Sequence, residues 1–131
     1  MNTALLLVDL QNDFFPGGSL PTPEGDTVVE PVNRLVDMFE QKHLPIFATR
    51  DWHPPDHCSF KAQGGPWPPH CVRDTWGAAF HPDIRMPEDV TVISKATATD
   101  KDAYSGFAAT DLAAQLRQVG VSRLVVAGLA T

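Results

Sequence analysis

Residues 3–10 read Thr-Ala-Leu-Leu-Leu-Val-Asp-Leu, a continuous apolar run with a carboxylate, Asp9, near its end. Such a run is typical of a strand buried on both faces, as strands are in parallel sheets. Three shorter apolar runs have the same character, and two segments with apolar residues at helical spacing lie between the runs. We therefore predict strands at 3–10, 44–49, 90–93 and 123–128, and helices from about Asp26 or Glu30 to His43 and over 110–119.

The order of these segments predicts the fold class. Strands that alternate with helices favour a three-layer α/β architecture, with a doubly wound, mostly parallel, Rossmann-like sheet and right-handed crossovers. We expect one domain over residues 1–131, because no repeat or linker interrupts the chain. Residues 54–89 are rich in proline and show no sustained period, and a loop of that length is usually functional.

Composition narrows the class of partner. The 131 residues carry a formal net charge of −6 without a basic cluster, which disfavours nucleic acid and anionic membrane and favours a small molecule. No apolar run approaches the length of a membrane span, and the N-terminus lacks the basic start of a signal peptide. We expect a cytoplasmic protein in which Cys58 and Cys71 are free thiols or metal ligands rather than a disulfide. The sequence leaves monomer and homo-oligomer both open.

The segment from Thr49 to Cys71 is dense in groups that bind metals. Asp51 and His53 lie two residues apart at the end of a predicted strand, so their side chains should project to the same side. His57 and His70 follow in the proline-rich loop and can fold back over this pair. A carboxylate with two or three imidazoles suits one divalent metal ion, with zinc, iron and manganese all compatible. The plainer interpretation is a polar loop in which the histidines only form hydrogen bonds.

Two further polar residues stand where apolar runs end. Asp9 closes the first run, and Lys95 follows the third. In open α/β sheets the functional site lies at the carboxyl ends of the strands, which favours a functional role for both residues. The alternatives are a carboxylate that caps the following loop and a lysine that is simply solvated.

With these residues aligned, the sequence closely resembles the nicotinamidases of the isochorismatase-like cysteine hydrolase superfamily. The resemblance covers essentially the whole chain. Its most specific parts are V-D-L-Q-N-D-F at 8–14, D-W-H-P-P-D-H at 51–57, W-P-P-H-C at 67–71 and G-L-A-T at 128–131. It implies the isochorismatase-like hydrolase fold and a metal-containing enzyme of NAD salvage, which converts nicotinamide to nicotinate and ammonia through a cysteine thioester.

The resemblance also implies a role for individual residues. Asp9 would be the general base and acid, Lys95 its electrostatic partner, and the amide of Ala130 part of an oxyanion hole that follows a cis peptide at Leu129–Ala130. The implied metal ligands are Asp51, His53 and His70, with His57 a further ligand in some members and an outer residue in others. The implied substrate contacts are Phe14, Trp67 and Tyr104 as an aromatic slot, with Gln11 and Leu20 nearby.

The chain departs from the family pattern at one place. The family's nucleophilic cysteine stands three residues after G-L-A-T, beyond Thr131, whereas Cys58 and Cys71 correspond to loop cysteines. We therefore expect the C-terminal part of the domain to be missing and these 131 residues alone to be inactive. Two alternatives remain: a metal-hydroxide hydrolase that uses Asp51, His53 and His70, and a small non-catalytic domain in which both cysteines help to bind a structural zinc ion.

Overall fold

The computed structural model describes residues 2–129. A four-stranded parallel sheet with the strand order β3-β2-β1-β4 forms its centre. The strands and helices are β1 (Asn2–Val8), α1 (Val29–Gln41), β2 (Ile46–Asp51), β3 (Thr91–Lys95), α2 (Leu112–Gln118) and β4 (Val121–Gly128). The predicted parallel α/β fold class is confirmed.

The two helices pack on opposite faces of the sheet. Successive side chains of a strand point to opposite faces, and all of β1 between Ala4 and Leu7 is apolar and buried. Leu5 and Leu7 belong to the core that contains the buried face of α1, formed by Val32, Val36 and Phe39. Ala4 and Leu6 belong to a second core with α2. This division gives the three layers that the apolar runs predict.

The bounds of the strands and helices differ from the predicted ones by about two residues. The difference matters for Asp51 and Lys95, which belong to strands instead of following them. The pairing of β2 with β3 continues through Asp51 opposite Lys95, so both residues are the last of their strands. The helices are shorter than predicted. Gly120 follows α2 with a φ of +73°, the left-handed conformation that a glycine after a helix commonly adopts.

The long segment between β2 and β3 is built from turns, including the short 3₁₀ turns Lys61–Gln63 and Trp76–Ala78. Across residues 2–129, no helix combines the length and the apolar character that a membrane crossing requires. The expected cis peptide at Leu129–Ala130 and the amide of Ala130 lie outside the described residues.

Candidate active site and metal centre

Three neighbouring strands bring one charged side chain each to the same end of the sheet. Lys95, the last residue of β3, places its Nζ 3.1 Å from Oδ2 of Asp9 and also donates a hydrogen bond to Oδ1 of Asp51. Thr49 donates from Oγ1 to the other oxygen of Asp9 at 2.9 Å. All four residues are buried. One ammonium group therefore lies between two carboxylates at the edge where the sequence predicts a site.

The backbone turns sharply around this group. Asp9 directly follows β1 with a φ of +52°, a left-handed conformation that aspartate tolerates better than most residues. Gly128 ends β4 beside the same strand, and a Cβ at that position would lie 2.3 Å from the carbonyl oxygen of Val8. Only glycine allows β4 to approach β1 this closely.

The electrostatics of the two carboxylates differ. Burial raises the pKa of Asp9, an effect that the nearby Lys95 charge only partly offsets. Burial acts in the same direction on Asp51, but the contacts with His53 and Lys95 outweigh it and hold the pKa of Asp51 below the usual range. For Lys95, burial opposes the charged form, yet the two carboxylates prevail and raise its pKa. The surroundings therefore shift the pKa values of the two carboxylates in opposite directions.

Asp51, His53 and His70 form a cluster with the character of a metal site. Their nearest ligand atoms all lie within 4.8 Å of one another. The Nε2 atoms of His53 and His70 are 3.6 and 4.0 Å from Oδ2 of Asp51. These distances are too long for hydrogen bonds. They approach the roughly 3.5 Å that separates two ligands of one ion with bonds of about 2.1 Å.

The second ring nitrogen of each of these histidines supports this interpretation. Nδ1 of His53 lies 2.9 Å from the carbonyl oxygen of Ala96, and Nδ1 of His70 lies 2.8 Å from that of Pro68. A carbonyl oxygen accepts only from a protonated nitrogen, so each neutral ring keeps its proton on Nδ1 and turns a free Nε2 lone pair toward Asp51. Burial lowers the pKa of His70, which favours the neutral ring. The residues present therefore fit a divalent ion such as zinc.

His57 does not join this cluster in the structure. Its Nδ1 lies 2.7 Å from Oγ of Ser59, and its Nε2 lies 2.8 Å from the carbonyl oxygen of Lys101. The ring stacks on that of His53, with 4.0 Å between the centroids. With both nitrogens in hydrogen bonds, His57 packs on His53 and is not a member of the cluster.

A cavity of about 410 Å³ opens onto the charged residues, and Asp9, Asp51, His70 and Lys95 all line it. Phe14, Leu20, Trp67 and Tyr104 supply much of the remaining wall. Nε1 of Trp67 donates a hydrogen bond to the hydroxyl of Tyr104 at 3.4 Å, although Tyr104 is 73% exposed. The structure thus brings four of the five sequence-predicted substrate contacts to one cavity.

Gln11 is the exception. It does not line the cavity. Its side chain is fully buried and forms hydrogen bonds with the backbone of Asp51 and Ala78. The expectation that Gln11 lies near the substrate stays a prediction, while its amide is committed to the protein backbone in this structure.

Sequence reasoning missed other residues of the site. Thr49 is the first polar residue after the apolar residues 46–48 of β2, a signal that could have singled it out. Asp13 is buried, and it accepts hydrogen bonds from the backbone N–H of Cys71 at 2.7 Å and of Ser19 at 3.1 Å. Asp102 and Ala103 line the cavity from a polar connection, which carried no signal.

The two cysteines stand apart from this chemistry. Neither belongs to the metal-ligand cluster, and neither lines the cavity. Cys71 is fully buried, and burial raises the pKa of its thiol far above the ordinary value. Among the described residues, the geometry therefore does not support the alternative of a closed zinc site with cysteine ligands.

The geometry of the site and a family match together define the class of protein to which the chain belongs. A buried Asp–Lys ion pair beside an Asp/His/His cluster, at the carboxyl ends of parallel strands, is an arrangement that suits an α/β enzyme. The isochorismatase-domain profile matches residues 3–131, and the chain belongs to this family.

Similar proteins include a nicotinamidase, a pyrazinamidase and a protein crystallised with nicotinate. The nicotinamidase of Escherichia coli is 39% identical over 149 residues, which cover 98% of this chain and 70% of that protein. A pyrazinamidase of Pyrococcus horikoshii, crystallised in complex with zinc, has 53% identity and a TM-score of 0.96, with 100% of this chain and 72% of that one covered. An L. infantum protein in complex with nicotinate has 37% identity and a TM-score of 0.90, covering 98% of this chain and 67% of that one.

Proposed function

We propose that the protein is a metal-containing amidohydrolase that converts nicotinamide to nicotinate and ammonia. The observation that carries the proposal is the shared cavity: the Asp9–Lys95 pair opens onto the same space of about 410 Å³ as two members of the ligand cluster, Asp51 and His70. That volume lies within the range of small-molecule sites. The relatives named as nicotinamidase or crystallised with nicotinate support the choice of substrate.

Asp9 acts as the proton carrier. As a carboxylate, it takes the proton of the attacking nucleophile and then delivers it to the departing ammonia. Its raised pKa supports this role, because a carboxylate whose pKa lies closer to that of a thiol accepts the thiol proton more readily, and its protonated form persists long enough to protonate the leaving nitrogen. Lys95 and Thr49 hold its two oxygens in place.

The proposed reaction runs through a cysteine thioester. The thiolate adds to the amide carbonyl carbon, the C–N bond breaks as ammonia leaves with the proton from Asp9, and water then hydrolyses the thioester to give nicotinate and the free thiol. The position of Cys58 and Cys71 outside the cavity supports a nucleophile beyond Thr131. The amide of Ala130, as the resemblance implies, would stabilise the tetrahedral oxyanion.

Asp51, His53 and His70 hold the metal in this proposal. A divalent ion bound by three ligands keeps open positions, at which it would accept the pyridine nitrogen as a Lewis acid and so orient the ring. Zinc is the proposed ion, supported by the zinc complex of the Pyrococcus horikoshii relative. Phe14, Trp67 and Tyr104 provide aromatic surfaces against which a planar ring packs.

Metal-hydroxide hydrolysis is the second candidate, because a three-ligand site also leaves room for a water molecule. This route needs neither a cysteine nor Asp9 as a proton carrier. The two candidates therefore differ in the effect of removing the Asp9 carboxylate.

The decisive experiment measures ammonia release from nicotinamide by the zinc-loaded full-length protein and its Asp9→Asn variant. For the thioester route we expect turnover to fall by about 10²–10⁴-fold, the usual contribution of a general base. The control is Asp56→Asn, an exposed carboxylate of the same loop as the metal ligands. Turnover that survives in Asp9→Asn would instead establish the metal-hydroxide route.

The intact mass of the sample shows whether the assay is performed on the 131 residues alone or on a longer chain. A mass of 14.3 kDa corresponds to the 131 residues alone. Such a sample should bind zinc without hydrolysing nicotinamide. Turnover by it would contradict a nucleophile beyond Thr131.

A further inference from the structure

The buried side-chain amide of Gln11 forms the hydrogen bonds to the end of β2 that a longer β1 would otherwise form. Its Oε1 accepts a hydrogen bond from the backbone N–H of Asp51 at 2.9 Å, and its Nε2 donates to the carbonyl oxygen of the same residue at 2.7 Å. Nε2 also donates to the carbonyl oxygen of Ala78 at 2.9 Å. A single side chain therefore satisfies both backbone groups of a residue 40 positions away.

The need for these hydrogen bonds follows from the sheet. The parallel pairing of β1 with β2 ends at Val8 opposite Thr49. The chain then turns away at Asp9, which has a φ of +52°. The N–H and C=O of alternate residues in β2 point toward β1, so those of Asp51 face the place where β1 has ended. Unpaired and buried there, each group would cost about 1–3 kcal/mol.

The opposite edge of β2 is held by ordinary pairing. Asp51 lies opposite Lys95 of β3, and the N–H of Trp52 donates to the carbonyl oxygen of Lys95 at 3.1 Å. The backbone of Asp51 is thus fixed from both sides, by a strand on one and by the Gln11 amide on the other. Its carboxylate then faces Lys95, His53 and His70 from a rigid base.

We infer that Gln11 is a positioning residue for the metal ligand Asp51. This inference rests on the proposed metal site. Gln11 does not line the cavity, and the hydrogen bonds of its side chain go to the backbone of Asp51 and to the turn that contains Ala78. By holding both, it keeps Oδ2 of Asp51 within reach of the two histidines.

The test compares zinc binding by the full-length protein and by its Gln11→Ala and Gln11→Met variants. The matched control is Asn33→Ala, because the Asn33 amide forms the same kind of clamp, with Asp83 and Arg85, away from the site. Zinc affinity is measured by competition with a chelator, and thermal stability is measured on each metal-free protein. Methionine keeps the volume of Gln11 without its hydrogen bonds, so it provides a folded variant if alanine leaves too large a cavity.

We expect zinc affinity to fall about 10–100-fold in the Gln11 variants, as is usual when an outer partner of a ligand is removed. Asn33→Ala should bind zinc within about twofold of the unaltered protein. Gln11 variants that lose thermal stability but keep zinc affinity would overturn the inference and leave a merely structural residue. If the unaltered protein does not bind zinc, the proposed metal site itself fails.

Hydrogen exchange on the metal-free protein tests the clamp without any metal. The Asp51 amide of the unaltered protein should exchange slowly, although no strand pairs with it on that side, and it should exchange much faster in Gln11→Met. Fast exchange of this amide in the unaltered protein would overturn the inference directly, whatever the outcome of the zinc measurements.

Discussion

Lys95 determines the electrostatic balance of the site at the scale of single residues. Its ammonium group forms ion pairs with both Asp9 and Asp51, so a single positive charge stabilises two buried carboxylates. The contacts divide the carboxylates: the pKa of Asp9 is raised by burial, whereas that of Asp51 is lowered despite burial. Two carboxylates whose pKa values are shifted in opposite directions thus lie within one small volume, as the proposed roles of Asp9 and Asp51 require.

The raised pKa of Asp9 predicts that this residue lowers stability at neutral pH. The folded protein binds the Asp9 proton more tightly than the unfolded chain does, so the Asp9 contribution is favourable below pH 3.8 and is lost as the pH rises through the folded pKa. Asp9→Asn should therefore have a higher free energy of unfolding than the unaltered protein at pH 7. Denaturant titrations of the metal-free proteins measure this.

The same titrations at decreasing pH supply the control, because the advantage of Asp9→Asn should shrink toward acid pH. A variant that is less stable at pH 7 would mean that the Lys95 contact outweighs burial. It would contradict the raised pKa.

The stacked position of His57 predicts a small role in metal affinity. His57→Gln retains a donor for the carbonyl oxygen of Lys101, and it removes the ring that packs on His53. Zinc affinity should fall by no more than about tenfold, whereas His70→Gln, which removes a ligand, should cost more than about a hundredfold. Chelator competition measures both, and equal losses in the two variants would make His57 a ligand.

At the scale of the elements, the packing of helix α1 on strand β1 fixes the position of Asp9, which directly follows β1. Val32, Val36 and Phe39 recur at helical spacing and face the sheet, where Leu5 and Leu7 meet them. The opposite side of the helix is polar, and Pro31 lies in its first turn, where the missing N–H is harmless. Burial of this single apolar face fixes the helix against the strand that ends at Asp9.

This packing predicts a large difference between two neighbouring positions of α1. Val36 is fully buried, and Val36→Ala should lower the free energy of unfolding by about 2 kcal/mol through lost contacts and a residual cavity. Met38 is 48% exposed, and Met38→Ala should change that free energy by less than about 0.5 kcal/mol. Chemical denaturation measures both, and equal effects would mean that α1 does not pack on the sheet as described.

At the scale of the whole molecule, the ligand cluster ties distant parts of the chain together. Asp51 is the last residue of β2 and His53 lies two residues beyond it, whereas His70 lies deep in the following loop. The loop returns to the sheet through the bridge between His53 and Val72 and through the hydrogen bond from the Cys71 N–H to Asp13. An ion bound to all three ligands would add a further cross-link that the unfolded chain lacks.

Zinc should therefore stabilise the whole fold. At a free zinc concentration about a thousandfold above the dissociation constant, the free energy of unfolding should rise by about 4 kcal/mol, and a chelator should reverse the change. Thermal melts with and without zinc measure this effect. His70→Gln should lose most of it, while His43→Gln, which alters an exposed histidine outside the cluster, should keep it. An equal zinc effect in the two variants would place the ion elsewhere.

Much of the fold and part of the site follow from the sequence through short-range rules. The apolar runs predict strands buried on both faces, and their alternation with helices predicts parallel pairing. Parallel strands share one carboxyl end, so Asp9, Asp51 and Lys95 could be assigned to a common edge without any structure. The element bounds could not, because β2 and β3 end where their mutual pairing ends.

The amino-acid sequence by itself determined the α/β class, the charged edge and the residue types suited to a metal. The grouping of His70 with Asp51 and His53 was implied by the family resemblance, and the structure brings the three together. Tertiary structure alone decided that His57 stacks on His53 and that Gln11 clamps the backbone of Asp51. The physical reason is that the proline-rich loop has no hydrophobic period of its own. Its course depends on hydrogen bonds to residues far away in the chain, which no local pattern of the sequence records.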